Sequence, residues 1–271
     1  MKILNIIVFY ENMDEVKNYI VEAMSIAENL LDIIVVVNSD KKHQLKIMEA
    51  ELTARRINRF RVIDYGENVG YLNAMLMTID EMDLSQYGYI VLSNTDIHYE
   101  TDDFFQRLVL KDYSKAVGCI APSVFSEQSN CYSNPHYMSR IPKEKIQRNI
   151  MIFKHPLLGR LYLKLSGLKA RCVYKEKKKS CYVYSPHGCY MIFSRDFIDR
   201  IKGYRYGVKL YSEESAIGEL LIKNGMKCFY DDSLSVIHQE STVTGTIDYR
   251  NRFNAWKESL EYILRQFYQL K

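Results

Sequence analysis

The stretch 91–98, VLSNTDIH, places Asn94 and Asp96 directly after an apolar run. Mg²⁺ and Mn²⁺ prefer hard oxygen ligands and often share one or two carboxylates with the phosphates of a substrate. If this is a metal site, Asp96 is the anionic ligand and Asn94 orients a sugar or ribose hydroxyl. The alternative is a polar turn or helix cap, because Asn and Asp are frequent in both.

Two glycines mark further candidate contacts. In ENVGYLNAM, Asn68 and Gly70 precede a predicted helix. The free N–H groups at the start of that helix could bind a phosphate, and Gly70 would let the backbone approach it closely. A helix N-cap turn is the alternative. In SPHGCYMIFSRD, a turn from Pro186 to Gly188 comes before an apolar strand, and His187 and Gly188 could border a substrate. An ordinary hairpin is the alternative there.

Two acids and a histidine complete the set. Glu213 and Glu214 open a predicted helix, where acidic side chains also suit the helix dipole. A carboxylate beside an acceptor hydroxyl could instead act as a general base. His238 ends an apolar strand in SVIHQEST. It is either a hydrogen-bonded structural residue or a ligand of metal or phosphate.

The elements that must position these residues alternate regularly in the first third of the chain. Short, wholly apolar runs indicate strands covered on both faces, and runs with helical periodicity follow each one. This order predicts a mostly parallel α/β sheet flanked by helices, with ligands at the carboxyl ends of the strands. The predicted strands are 3–9, 32–37, 60–65 and 87–93, with helices at 12–30, capped by Asn12, 41–57 and 69–82.

The rest of the chain is less regular. We predict a strand or strand pair over 181–196, a helix ending at Gly225, short strands at 226–231 and 234–238, and a long closing helix from 249. One domain over 1–271 is expected. It consists of a nucleotide-sugar-binding half (1–120), an acceptor-side half (121–245) and a C-terminal helix (246–271).

Composition narrows the class of protein. The chain of 271 residues has a net charge of +4, six cysteines without a C-x-x-C pair, and no apolar run long enough to span a bilayer. We therefore expect reduced thiols and a cytoplasmic protein, with an apolar first strand in place of a signal peptide. No recognised nucleic-acid-binding module occurs, and nucleic acid is not an expected partner.

Taken in order, these motifs resemble the inverting glycosyltransferases of family 2, which have the GT-A fold, and most nearly their rhamnosyltransferase-like branch. The resemblance runs from residue 3 to about residue 242. It rests on VFYEN, ENVGYLNA, LSNTDI, SPHGCYMIFSRDF, and SEESAIGELLIKNG followed by VIHQEST. It implies transfer of a sugar from a UDP- or dTDP-linked donor to a saccharide or lipid-linked acceptor in cell-surface polysaccharide synthesis, with Mg²⁺ or Mn²⁺.

The resemblance also assigns roles. Asp96 and His238 would hold the metal or the diphosphate, with Asn94 beside them. Glu214 would be the general base, next to Glu213. Tyr10 and Glu11 would lie near the nucleobase of the donor. The other predicted donor contacts are Asn38, Asn68, Gly70 and Gly188.

The sequence departs from the family pattern at several positions. Val37 replaces an aspartate, Leu76 an asparagine and Ala216 a second acid. These changes give weight to a non-catalytic sugar-nucleotide or partner-binding protein on the same scaffold. A nucleotidyltransferase is disfavoured, because FYENMDEV has no glycine-rich basic loop.

Residues 140–180 are strongly basic. They contain thirteen Lys and Arg and two Glu, so the segment carries +11 and the rest of the chain −7. Basic residues interleaved with Ile, Leu, Phe and Tyr are typical of an interfacial helix at anionic lipid headgroups. The alternatives are a solvated basic face or a contact in a homo-oligomer.

Overall fold

The computed structural model describes residues 1–27, 29–40, 43–162, 174–240 and 249–268. The predicted alternation over the first 93 residues is confirmed. Asn12 caps the first helix, its Oδ1 accepting the N–H of Glu15 at 3.3 Å. These elements are β1 (Lys2–Phe9), α1 (Met13–Ala27), β2 (Leu31–Val37), α2 (His43–Ala54), β3 (Phe60–Asp64), α3 (Tyr71–Glu81) and β4 (Tyr87–Ser93).

The second part of the chain adds strands to the same sheet and helices around it. A further helical stretch covers 156–162. The elements are β5 (Ile97–Tyr99), α4 (Phe104–Leu110), β6 (Val117–Ser126), β7 (Cys131–Tyr132), α5 (Lys143–Phe153), β8 (Cys181–Val183), β9 (Tyr190–Ser194), α6 (Arg195–Ile201), α7 (Glu213–Lys223), β10 (Lys227–His238) and α8 (Tyr249–Phe267).

The described strands form one sheet in the order β3-β2-β1-β4-β9-β6-β10-β5, with β7 paired to β6 and β8 to β10. Neighbours from β3 to β4 are parallel, as are β6 and β10. Strand β9 lies antiparallel between β4 and β6. The sheet is therefore mostly parallel, and the polar residues that follow β1 to β4 lie at one edge.

Hydrophobic cores lie on both faces of the sheet. In β1, Leu4 and Ile6 face one cluster while Ile3 and Ile7 face the other, as expected for a strand covered on both sides. One core includes residues of α3, α6, α7 and α8, and the other includes residues of α1, α2 and α4. The result is a three-layer arrangement with the sheet in the middle.

Two predicted elements differ in detail. Strands β8 and β9 do not form a hairpin: β8 pairs with β10, and β9 pairs with β4 and β6. The two short strands predicted at 226–231 and 234–238 are one strand, β10, with an irregularity between Asp231 and Ser235. Polar residues at 231–233 suggested a break, but the pairing to β6 continues on both sides of the bulge.

The cysteines at 119, 181, 189 and 228 are free thiols. Within the described ranges, no helix has the length and apolar character needed to cross a bilayer. Residues 163–173 of the basic segment, and Ser241 and Thr242 of the last motif, lie outside the described residues.

Candidate active site

The Asn94–Asp96 turn directly follows β4 and is held by two neighbouring strands. The N–H of Asn94 donates to the carbonyl of Cys189 at 2.8 Å, and the N–H of Gln239 donates to the carbonyl of Asp96 at 3.0 Å. The hydroxyl of Thr95 donates to Glu15 of α1. Contacts to β9, β10 and α1 therefore fix the turn, although its local sequence alone suggested an ordinary polar turn.

A buried polar network lies beneath the turn, and the sequence analysis did not identify it. Tyr19 donates to Asn5 Oδ1 at 2.5 Å, and Asn5 Nδ2 donates to Ser93 Oγ at 3.1 Å. The Tyr19 hydroxyl also meets that of Tyr99 at 2.9 Å. Burial raises the pKa of Tyr19 to about 12, so it stays a neutral donor. The network fixes the end of β4 just before Asn94.

Asp96 and His238 form the buried polar pair of the site. His238 Nε2 lies 3.3 Å from Asp96 Oδ1, and the amide of Asn94 lies 3.5 Å from the same nitrogen. Burial acts to lower the pKa of His238, but hydrogen bonds to Asp96 and Cys189 outweigh it and raise the pKa to about 10. The structure thus brings together the three residues predicted for metal and diphosphate.

The donor set of this pair fits a divalent cation that is shared with a ligand. Asp96 offers the carboxylate oxygen that Mg²⁺ and Mn²⁺ prefer, with the Asn94 amide alongside, whereas His238 could ligate a cation only after losing the proton that its raised pKa retains. Among the described residues, no three His, Cys, Asp or Glu side chains meet in an arrangement that could hold a metal. A cation here would therefore need oxygens from a bound diphosphate.

Two more imidazoles extend from this pair. The ring of His187 lies 6.0 Å from that of His238 and 5.1 Å from that of His136. Asn134 Oδ1 accepts the backbone N–H groups of both His136 and His187, at 2.9 and 3.1 Å. Burial, then the neighbouring imidazoles, hold the pKa of His187 well below its usual value, so its ring is neutral. His136 was not identified from the sequence, where its neighbours predict only a loop.

Glu214 and Gly188 are in contact. A Cβ on Gly188 would lie 2.7 Å from Glu214 Oε1, so glycine leaves the space that this carboxylate occupies. The carbonyl of Gly188 accepts the hydroxyl of Tyr71 at 3.0 Å. Burial raises the pKa of Cys189, and the charges of Asp96 and Glu214 both act in the same direction. Cys189 therefore lies within the electrostatic reach of both carboxylates.

The backbone before these acids is strained. Tyr211 and Ser212 have φ angles of 72° and 62°, a conformation that non-glycine residues rarely adopt. Helix α8 supports them: Ser212 Oγ lies 2.9 Å from Ser259 Oγ, and the ring of Tyr211 lies 5.1 Å from that of Trp256. The strained turn sets the direction in which α7 and its acids enter the site.

Glu213 and Glu214 have different surroundings. Glu213 is buried, and burial followed by the charge of Glu214 raises its pKa to about 8. Glu214 is partly exposed. Only Glu214 combines solvent access with contact to Gly188. We call Glu214, Gly188 and the loop residues 134–136 the acceptor side.

A cleft of about 290 Å³ opens beyond the ends of β1, β2 and β3. Tyr10, Glu11, Asn38 and Asn68, all predicted from the sequence, lie in its wall. We call this cleft and the adjoining Asn94–Asp96 turn the donor edge. The full lining is Tyr10, Glu11, Val37, Asn38, Ser39, Asp40, Asp64, Gly66, Glu67 and Asn68.

Three acids of the cleft were missed. Asp40, Asp64 and Glu67 are ordinary turn residues by local sequence, and only the shared sheet edge brings them together. Asp64 Oδ1 accepts the N–H of Gly66 at 2.8 Å. The sequence signal for this site was an acid at the end of a strand with a glycine two residues later, as in DYG at 64–66.

Asn38 and Gly70 both hold the 68–70 loop in place. Asn38 Oδ1 accepts the N–H of Val69 at 3.1 Å, and its Nδ2 donates to the carbonyl of Gly70 at 3.2 Å. Gly70 has φ 89°, and a Cβ there would lie 2.4 Å from the carbonyl oxygen of Lys209. The close approach that Gly70 permits is to this backbone. The phosphate contact assigned to it stays a prediction.

No protein-family model and no curated protein matches the chain in sequence. Solved structures match its fold. The mannosyltransferase PcManGT from Pyrobaculum calidifontis, in complex with GDP-Man and Mn²⁺, has a TM-score of 0.58 at 11% identity, covering 89% of this chain and 58% of that one. GalNAc-T7 with UDP, GalNAc and Mn²⁺ has a TM-score of 0.60 at 12% identity, covering 97% and 50%.

A third structure, of a mycobacterial protein, has a TM-score of 0.54 at 10% identity, covering 100% of this chain and 76% of that one. This chain spans only 58% of the length of PcManGT and 50% of the length of GalNAc-T7. At such low identity the likeness concerns the fold alone. It confirms the prediction of a GT-A fold with a mostly parallel central sheet flanked by helices.

Proposed function

We propose that this chain is a metal-dependent, inverting glycosyltransferase, which moves a sugar from a nucleotide diphosphate donor to a saccharide or lipid-linked acceptor. The observation that carries the proposal is that the 188–189 backbone meets both groups: Gly188 contacts Glu214, and the carbonyl of Cys189 accepts the N–H of Asn94 in the turn that holds Asp96 beside His238. On a GT-A fold this arrangement offers a diphosphate site facing a basic carboxylate. The two glycosyltransferases of similar fold, with their nucleotide ligands and Mn²⁺, support it.

The chemistry of the cleft indicates which part of the donor it holds. Glu11, Asp40, Asp64 and Glu67 accept hydrogen bonds and repel phosphate. Ribose hydroxyls and the imide N–H of uracil or thymine supply the matching donors. We therefore place the nucleoside of a UDP- or dTDP-sugar in the cleft and its diphosphate toward Asp96.

Asp96, with Asn94, would bind Mg²⁺ or Mn²⁺ together with the donor diphosphate, and His238, protonated beside Asp96, would donate to the diphosphate or give up its proton to ligate the cation. A bound cation supplies positive charge that offsets the charge developing on the leaving diphosphate. His187, which is neutral, adds a hydrogen-bonding group beside His238 without adding charge. Asn94 orients the donor from the end of β4.

Glu214 would act as the general base. It takes the proton from an acceptor hydroxyl while the hydroxyl oxygen bonds to the anomeric carbon from the face opposite the diphosphate. The bond from that carbon to the diphosphate oxygen breaks, and the diphosphate leaves with the bonding electrons. Glu214 suits this role better than Glu213, because Glu213 is buried and its raised pKa keeps it protonated up to about pH 8.

The experiment is a panel of nucleotide sugars incubated with the protein and Mn²⁺, with release of nucleoside diphosphate as the readout. We expect Glu214→Gln to lower kcat by about 10²–10⁴-fold and leave nucleotide affinity unchanged. Asp96→Asn should abolish the Mn²⁺-dependent part of nucleotide binding. Glu261→Gln, an exposed carboxylate on α8, is the matched control.

Two outcomes would contradict the proposal. Wild-type activity in both Asp96→Asn and Glu214→Gln would rule out this mechanism. Nucleotide binding without turnover of any donor, with or without added saccharide acceptors, would instead favour the non-catalytic sugar-nucleotide-binding alternative.

A further inference from the structure

The end of α5 and the helical stretch 156–162 expose an unusual set of apolar side chains. Met151, Leu157, Leu158 and Leu161 are 58%, 80%, 51% and 54% exposed. Basic residues of the same segment, 148–161, are exposed as well: Arg148, Lys154 and Arg160. We call these seven residues the leucine–basic face. Among the large apolar side chains exposed in the described part of the chain, it is a dense local group.

The helical stretch 156–162 is turned with its leucines outward. Gly159 is buried, and a Cβ there would lie 3.0 Å from the ring of Phe253 on α8. Glycine at the packed position lets the helix approach α8 closely. The same packing points Leu157, Leu158 and Leu161 into solvent, the reverse of the usual amphipathic arrangement. The leucines are therefore not a displaced part of the core.

The charge around the leucines is one-sided. Residues 143–162 contain five Lys and Arg and one Glu. A symmetric contact between two copies would bring these like charges together, which is unfavourable. A nucleic acid would match the charge but leave the leucines without an apolar partner. An anionic lipid surface satisfies both, since leucines enter the acyl boundary while basic groups meet the headgroups.

We infer that the leucine–basic face docks this protein on an anionic lipid bilayer. Leu157, Leu158 and Leu161 insert at the interface, with Met151 at the edge. Lys154, Arg148 and Arg160 lie at headgroup level, their aliphatic stems covering the leucines. Vesicle binding requires no sugar transfer, so this inference stands or falls separately from the proposed function.

Contacts lead from this face to the acceptor side. Phe153 at the end of α5 lies 5.1 Å from Trp256, ring to ring, and Trp256 lies 5.1 Å from Tyr211. Tyr211 belongs to the strained turn just before Glu213 and Glu214. Docking would therefore place Glu214 near the bilayer surface. Given the proposed function, on which this step rests, a position of Glu214 near the bilayer favours a lipid-linked acceptor over a free saccharide.

The test is co-sedimentation of the full chain with vesicles, without donor or metal. Vesicles of phosphatidylcholine alone are compared with vesicles containing phosphatidylglycerol, at low salt and at about 1 M salt, where the Debye length is roughly 3 Å. We expect binding to the anionic vesicles at low salt, a large loss at high salt, and little binding to phosphatidylcholine. No binding to anionic vesicles at low salt overturns the inference.

Variants separate the apolar and the charged contributions. Leu157→Ser with Leu161→Ser should lower the vesicle partition coefficient about tenfold or more, and Lys154→Gln about fivefold. Leu110→Ser, at the end of α4 and 83% exposed, is the matched control and should bind as the wild type does. All variants alter exposed side chains and should keep the wild-type circular dichroism spectrum.

Two results would contradict the inference. The first is equal vesicle binding by wild type and the double leucine variant. The second is light scattering that shows a wild-type dimer converted to a monomer by the leucine substitutions, with no vesicle binding by either, which would make the face a contact between copies. Turnover of soluble acceptors by the leucine variants should equal that of the wild type, because docking and sugar transfer use different residues.

Discussion

The donor edge and the acceptor side are positioned in different ways. At the donor edge each residue follows a strand of a parallel sheet, so the pairing that aligns β1, β2 and β4 also aligns Tyr10, Asn38 and Asn94. On the acceptor side Glu214 depends on a strained turn and on α8, which supplies Ser259 from 47 residues away. A sheet edge is a consequence of topology, whereas the carboxylate position depends on individual long-range contacts.

The largest effect on stability is expected at Gly70, two residues after Asn68 of the donor edge, where the loop packs on the backbone of Lys209. Gly70→Ala would place a Cβ 2.4 Å from the carbonyl oxygen of Lys209, at a φ of 89°. Strain and collision together should lower the free energy of unfolding by about 3–4 kcal/mol. Urea denaturation followed by circular dichroism measures this change.

Gly66→Ala is the matched control for Gly70. Its φ is 82°, but a Cβ there has open space. It should therefore lose only about 1 kcal/mol, which is the conformational part of the effect. Equal losses in the two variants would show that contact with Lys209 contributes nothing to stability.

The sequence predicted where the strands of the donor edge end, because strand ends are locally encoded. Apolar runs located β1 to β4, and Asn94 and Asp96 followed directly from where β4 stops. A strand pair was predicted over 181–196, and two strands lie there, but they do not pair with each other as in the hairpin alternative, because strand partners are chosen by the whole sheet and not by the nearest turn.

The acceptor side shows the same limit more strongly. The pair Glu213–Glu214 was predicted, but which acid is accessible depends on burial that no local pattern reports. Asn134 and Ser259 were missed because their partners, His187 and Ser212, lie 53 and 47 residues away. Polar residues that act through such contacts look like loop and helix-surface residues in the sequence.

The second largest effect tests Glu214 through its neighbour. Gly188→Ala would push the Glu214 carboxylate away, since the new Cβ would meet Oε1 at 2.7 Å. Displacing a base by about 1 Å can lower the rate about a hundredfold, so kcat should fall by that order. The folded state should lose little, because the far end of a side chain moves easily. Steady-state kinetics and nucleotide affinity are measured together.

A double-mutant cycle makes this assay specific. Glu214→Asp shortens the side chain and should lower kcat in the wild-type background. In the Gly188→Ala background it should cost less, because the shorter acid avoids the new methyl group. Additive effects of the two substitutions would mean that Gly188 and Glu214 do not interact, contrary to the geometry.

A change in the pH dependence of stability is expected from Glu213. Its pKa is about 8 in the folded chain and 4.5 as a free side chain, so the folded state holds a proton that the unfolded state releases. This contribution to stability is fully present below pH 4.5, falls as pH rises toward 8, and is lost above it. The slope approaches about 1.4 kcal/mol per pH unit.

Glu213→Gln removes this titration. We expect the difference in unfolding free energy between wild type and variant to shift in favour of the variant between pH 4.5 and 8, and to level off above pH 8. Glu261→Gln, on an exposed surface, should give a curve parallel to the wild type. A parallel curve for Glu213→Gln as well would show that burial does not hold its proton.

The smallest effect is expected from Ser259→Ala, and it tests most directly whether the donor edge and the acceptor side are positioned separately. The variant removes the hydroxyl that contacts Ser212 Oγ at 2.9 Å and should cost about 1 kcal/mol. A turn with φ 62° at Ser212 then relaxes more easily, so Glu214 loses alignment. We expect kcat to fall about fivefold, with nucleotide affinity unchanged because the donor edge is positioned separately.

Ser259→Thr keeps the hydroxyl and should restore kcat, while Ser25→Ala, a helix serine bonded to its own backbone on α1, should leave it unchanged. A fall in nucleotide affinity parallel to that in kcat would mean that Ser259 supports the fold as a whole. A fall in kcat alone would show that α8 acts on the Glu214 carboxylate. In the proposed reaction the sheet edge would then position the donor, while a distant helix positions the group that activates the acceptor.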